Sequence, residues 1–289
     1  MFPTASSPDH ASYDSDTSDE RPSSQPARTK IHATFQIARP PPKSYQRLLR
    51  TPKLLLQIQQ LAPNHHPVPV LEIYEAHFRK SKLTRDFAQR PPKLAKGDLY
   101  AALGEPYITA HTRNQSASSE TAGNGDDQAQ EKDIIAVMCD ATSTAYFRDA
   151  RCSWQASTGT TGAEQSAPCY RFAISDENGK ELEHSTWIMQ WEKKSSSHGI
   201  ASTDKDQFVL FIIDRKTRRR SRVATMDRGG VEVKIRKGAL LAHLQKSMDL
   251  TSPVPGPSQN HPYGILETWL YTHILTLGVW VASQEGWLS

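Results

Sequence analysis

Between Arg215 and Arg222 six of eight residues are cationic: Arg215, Lys216, Arg218, Arg219, Arg220 and Arg222. A guanidinium is a planar fork of N–H donors that grips phosphate through paired, charge-assisted hydrogen bonds, and an ammonium adds a compact point charge. If the run extends into a strand, Arg218, Arg220 and Arg222 share one face. Lys234 and Arg236, outward on the strand that follows, widen that face. The chemistry these residues offer is anion binding, and three uses stand open. The patch binds lipid or other phosphate groups, or it contacts nucleic acid or directs nuclear import as a basic localisation signal. Or it is a solvated hairpin whose charges protect a sheet edge.

Other chemistry-bearing residues point less far. Ser15, Thr17 and Ser18 lie among Asp14, Asp16, Asp19 and Glu20, surroundings that suit an acid-directed kinase, and phosphorylation there adds further negative charge. Cys139, Cys152 and Cys169 are odd in number and lack CxxC spacing, which argues against a disulfide scaffold and a zinc site. They read as small buried hydrophobes in a reducing compartment. His65 and His66 are adjacent, so on a strand they would point apart and chelate poorly; they read as surface loop. Glu181, Glu183 and His184 could form an acid/base set, but they follow a hairpin turn, where charge is expected anyway. GxSxG, HExxH, P-loop and GxGxxG motifs are absent from the sequence. The expectation is a non-catalytic protein without a cofactor or metal. Trp154, Trp187 and Trp191 fall on strand candidates, the last two on one face, as core residues do.

Composition bounds the elements that must carry these residues. The chain has 289 residues, a formal charge of +4 and only 37% hydrophobic residues, so part of it is expected to stay unpacked. From Arg215 to Lys237 there are ten Lys/Arg against two Asp/Glu, while the balancing acids sit before Arg28 and around Glu120–Asp133. Residues 1–29, rich in Ser, Pro and Asp, read as a disordered acidic tail. Residues 30–289 read as a single β-rich domain, with a low-complexity loop at 112–132 and a C-terminal helix at 264–285. The opening MFPTASSPDH lacks the basic start and apolar run of a secretion signal. A cytoplasmic location, membrane-peripheral or nuclear, is therefore expected rather than secretion.

Period-two alternation predicts strands at Ile31–Ile37, Leu54–Ile58 and Val68–Ile73. Further short candidates are Asp98–Leu103, Tyr107–His111, Ile134–Cys139, Ala145–Arg148 and Cys152–Ala156. Arg79–Lys96 reads as a surface excursion and Gly159–Ala167 as a loop. Tyr170–Ser175 and Thr186–Glu192 read as a hairpin turned by Asp176-Glu177-Asn178-Gly179. Phe208–Ile213, wholly apolar, suits a strand covered on both faces. Arg218–Met226, a turn at Gly229-Gly230 and Val231–Ile235 complete the series. Leu241, Leu244 and Met248 repeat at helical spacing, and a Pro-rich linker follows.

Ile265–Gln284 is apolar nearly all round, apart from a Thr268–Thr272–Thr276 stripe and His273. Such a helix belongs in a protein core or a bilayer. A tail-anchored membrane protein is therefore one alternative reading, although the stretch is short, contains His and Thr, and lacks close Lys/Arg flanks. A dozen strands followed by one apolar helix resembles the tubby-like superfamily: tubby C-terminal, LURP-one-related and scramblase-like domains. The hairpin around Asp176–Gly179, the strands to Ile235 and the helix from Ile265 carry the resemblance, by order and count. It implies a closed antiparallel barrel of about twelve strands around a central C-terminal helix. It also implies a binding or adaptor module whose basic surface, here Arg215–Arg222 with Lys234 and Arg236, holds anionic phospholipid head groups such as phosphoinositides. Separately, RTPKLLLQIQQL resembles phrases in uncharacterised filamentous-fungal proteins and implies no activity. A nuclear or nucleic-acid-associated protein using the same cluster remains the alternative.

Overall fold

The computed structural model describes residues 33–39, 53–62, 65–76, 87–104, 134–148, 150, 152–161, 167–175, 181, 187–194, 206–234 and 262–288. Twelve strands are present among them: β1 (Ala33–Ala38), β2 (Lys53–Leu61), β3 (Val68–Glu75), β4 (Leu99–Leu103), β5 (Ile134–Cys139) and β6 (Thr144–Phe147), then β7 (Ser153–Thr161), β8 (Ala167–Ser175), β9 (Trp187–Lys193), β10 (Phe208–Asp214), β11 (Arg220–Asp227) and β12 (Gly230–Val233). Each pairs antiparallel with its neighbours in sequence. β1 and β12 close the ring through Ala33 opposite Val233 and Phe35 opposite Val231. Closure removes the open sheet edges that would otherwise template aggregation.

The alternation sends every second side chain inward. Phe35, Ile58, Ile73, Phe147, Trp154, Phe172, Trp191, Phe208 and Val233 belong to one buried core. The core's centre is α1 (Pro262–Gln284), buried without interruption from Leu270 to Ala282, more than three turns and therefore every side. Residues all round the barrel touch it. The Phe35 ring lies 5.3 Å from Tyr271, Phe147 stacks on His273 at 3.7 Å, and Phe172 meets the Trp280 ring edge-on at 5.4 Å. Gly278 lets the helix approach the wall: a Cβ there would lie 3.2 Å from Met226 Sδ and 3.4 Å from Trp191 Cζ2. The helix stops in a Schellman motif, with Gly286 at positive φ (69°) and the N–H groups of Gly286 and Trp287 donating to the carbonyls of Ser283 and Ala282. The apolar helix thus lies in a barrel, and no described helix is long and apolar enough to cross a membrane.

The strands alternate in direction, so the β2–β3, β6–β7 and β10–β11 connections share one end of the barrel. The helix begins at that end, where Trp269 and His273 pack beside Phe147 and Trp154. It finishes at the other, where the Arg39 Nη2–H donates to the Trp287 carbonyl at 2.6 Å and Trp287 packs on Phe208. We refer to the first as the near end and the second as the far end.

Three sequence expectations need correction. Gly159–Ala167 is not all loop, because β7 runs on to Thr161 and β8 starts at Ala167, paired in unbroken register. The polar Ser157–Thr160 stretch hides a strand because its exposed residues have no apolar partner face to reveal it. Within Arg79–Lys96, residues 87–96 are more than an excursion. Phe87 and Leu94 are buried over the outer face of β3–β6, against Tyr74, Tyr100, Val137, Cys139 and Tyr146. Asp98 pins this strap by accepting the N–H groups of Ala95 (2.6 Å) and Asp140 (3.0 Å). Finally, β10 is fully covered only inside. Phe211 and Ile213 on its outer face are half-buried, and the Arg220 guanidinium lies over the Phe211 ring, 4.2 Å from its centre.

The acidic tail, the loop at 112–132, the Tyr107–His111 strand, the turn at Asp176–Gly179, the helix around Leu241 and the linker after it lie outside the described residues.

Candidate functional site

The β10–β11 connection at the near end is built around Asp214. Its Oδ1 accepts the N–H groups of Lys216 (2.8 Å) and Thr217 (3.2 Å), and its own N–H donates to the Arg219 carbonyl at 2.9 Å. This folds the chain so sharply that Arg218 takes a positive φ of 56°, a region that costs a non-glycine residue energy. Lys216, Arg218 and Arg219 are all exposed on the turn.

Arg218 therefore belongs to the turn, and the expected shared face of Arg218, Arg220 and Arg222 is corrected: β11 begins only at Arg220. Arg220 lies opposite Ile213 and Arg222 opposite Phe211, both facing outward. β12 runs beside β11, as expected, and the Lys234 N–H donates to the Val223 carbonyl at 2.7 Å.

Counter-charges divide the cluster. Arg220 donates to Glu192 Oε1 at 2.5 Å while stacked on Phe211. Arg215 pairs with Glu181 at 2.7 Å, a carboxylate that also holds Arg171 at 2.9 Å. Lys234 pairs with Glu232 at 3.1 Å. Lys216, Arg218, Arg219 and Arg222 have no acidic partner among the described residues and are exposed. Arg236, and the phosphorylation candidates Ser15, Thr17 and Ser18, lie outside the described residues.

Spacing along the sequence does not point to Glu192 and Glu181 as partners of Arg220 and Arg215. Arg220 and Glu192 are 28 positions apart and meet only because β10 lies between β9 and β11. The sole available signal was the outward alternation of Glu192 on a strand with buried Trp187 and Trp191.

Trp154, Trp187 and Trp191 are in the core. All three cysteines are free and buried, and burial pushes the thiols of Cys139 and Cys152 up to about 12 and about 11. They are poor nucleophiles at neutral pH. His65 and His66 are exposed in the β2–β3 connection. Glu181 is engaged by two arginines, and Glu183 and His184 lie outside the described residues. Among the described residues no group of three or more His, Cys, Asp or Glu could hold a metal ion. Compared with known protein families, with curated proteins and with solved structures, the chain matches none.

Proposed function

We propose that this protein is a non-catalytic binding module that docks on anionic phosphate head groups at a membrane surface through Lys216, Arg218, Arg219 and Arg222. One observation carries the reading. Four exposed cations without acidic partners stand together on one short hairpin, while Arg215, Arg220 and Lys234 around them are each neutralised. The paired residues hold the turn and the free ones are left for a ligand. A turn held by the hydrogen bonds of Asp214 limits the ordering cost of binding. The resemblance to the tubby-like superfamily, in which basic barrel surfaces hold phosphoinositides, supports the same use.

The test is co-sedimentation with neutral vesicles and with vesicles carrying a phosphatidylinositol bisphosphate, at two salt concentrations. Binding should require the anionic lipid and weaken with salt. Each cation near such a surface contributes about 1 kcal/mol, so K216Q/R219Q/R222Q together should weaken it about 100-fold. Unchanged binding in that variant removes the site. Salt-sensitive binding to nucleic acid without lipid preference would favour the nuclear alternative.

A further inference from the structure

We infer that the acidic segment Asp14–Glu20 of this same chain docks in cis on the free cations of the β10–β11 turn and competes with the turn's anionic ligand. This rests on reading that turn as an anion-binding surface.

Topology supplies the proximity. β1 begins at the near end, where Ala33 is paired with Val233 of β12, and β12 is paired with β11. The chain preceding Ala33 therefore leaves the barrel at the same end as the basic turn. It is displaced by two strand spacings, roughly 10 Å. Between Glu20 and Ala33 the polypeptide can extend to roughly 40 Å, several times that displacement. A tether of this length holds its acidic segment near the turn at a high effective concentration.

Charge supplies the complementarity. Residues 9–20 carry Asp9, Asp14, Asp16, Asp19 and Glu20 and no Lys or Arg. The turn offers four cations that lack acidic partners among the described residues. Phosphates on Ser15, Thr17 and Ser18 would each add about −1.5 to −2 charges and three acceptor oxygens, suited to guanidinium forks. Modification would strengthen the competition with the turn's anionic ligand.

The chain's other acidic stretch, Glu120–Asp133, joins β4 to β5. It springs from the near end too, but β4 and β5 stand across the ring from β11. The segment before β1 has the shorter path.

The experiment uses the full chain without lipid first. A zero-length carbodiimide joins an amine to a carboxylate in contact with it, and peptide mass spectrometry reads the product. Lys234–Glu232, at 3.1 Å, serves as the internal control. The expected new product joins Lys216 to a residue within Asp14–Glu20, in the monomer band. It should disappear in D14N/D16N/D19N/E20Q and in K216R, which keeps the charge but loses the amine. In a second arm, vesicles carrying a phosphatidylinositol bisphosphate should bind the D14N/D16N/D19N/E20Q variant about five-fold more tightly, as when a competitor occupying about four-fifths of the sites is removed. S15E/T17E/S18E should bind them more weakly. Coupling of Lys216 to Glu120–Asp133 instead, or no coupling with vesicle affinity unchanged in both tail variants, overturns the inference. Coupling to Asp14–Glu20 with no vesicle binding by any variant upholds the cis contact and sinks the lipid reading alone.

Discussion

Replacing His273 should abolish a specific part of the protein's acid sensitivity. The imidazole is buried in the barrel, stacked on Phe147 at 3.7 Å and beside Trp269 at 3.7 Å. Its Nδ1 bonds the Trp269 carbonyl at 2.9 Å, and its Nε2 has no hydrogen-bond partner among the described residues. Burial pushes its pKa down from 6.5 to about 3, against the smaller opposing pull of that carbonyl. Between those values the unfolded chain binds one proton more than the folded chain. The depressed His pKa therefore leaves stability intact above pH 6.5 and removes it as pH falls towards 3, by about 1.4 kcal/mol per unit in mid-window. Integrated, the loss is about 2 kcal/mol from pH 7 to 5 and about 3 kcal/mol from pH 7 to 4. Urea unfolding of the native sequence, H273F and H273Q at pH 7, 6, 5 and 4 measures it. Each variant should gain about 2 kcal/mol relative to the native sequence between pH 7 and 5, whatever its offset at pH 7, because all share the same carboxylates. Parallel curves would refute the reasoning. They would mean that the faces of Phe147 and Trp269, which attract a cation, offset the burial.

Further outcomes follow from the packing and the charge pairs. G278V should lose about 1–3 kcal/mol in chemical denaturation, since the added carbons meet Met226 and Trp191 at 3.2 and 3.4 Å. E192Q frees the Arg220 guanidinium and should tighten binding to anionic vesicles about five-fold, the equivalent of one more cation at roughly 1 kcal/mol. Tighter binding absent there, with the turn variants still weakened, would confine the surface to the turn. The three cysteines should react with a thiol reagent only after denaturant is added, because all are buried and burial holds at least Cys139 and Cys152 protonated at pH 8. Rapid labelling of the native protein would contradict that.

The barrel was legible where one face of a strand is apolar and the other is not. Ile31–Ile37 and Val231–Ile235 show that alternation plainly, and within their described residues β1 runs over Ala33–Ala38 and β12 over Gly230–Val233. The helix was legible because residues from Trp269 to Val281 are apolar on nearly every side, and only its placement, in barrel or bilayer, stayed open. What escaped the sequence depends on partners far along the chain. Phe211 faces outward, half-buried under a guanidinium from β11, so an unbroken apolar run did not mean two fully covered faces. The strap at 87–98 was hidden by its prolines and lysines, although Phe87 and Leu94 sit among them. At the candidate site the residue types were right, but their availability was not readable. Whether an arginine is free depends on carboxylates such as Glu181 and Glu192, which sheet register alone brings near.

The position of α1 has a consequence for biosynthesis. The segment that fills the barrel follows all twelve strands that surround it, so the wall is made before its contents. At roughly 5–20 residues per second the ribosome needs several seconds to pass from Val233 to Gln284. During that interval Trp154, Trp191, Phe172 and Phe208 have no helix to pack against. A chain interrupted within that interval would carry every strand and no centre.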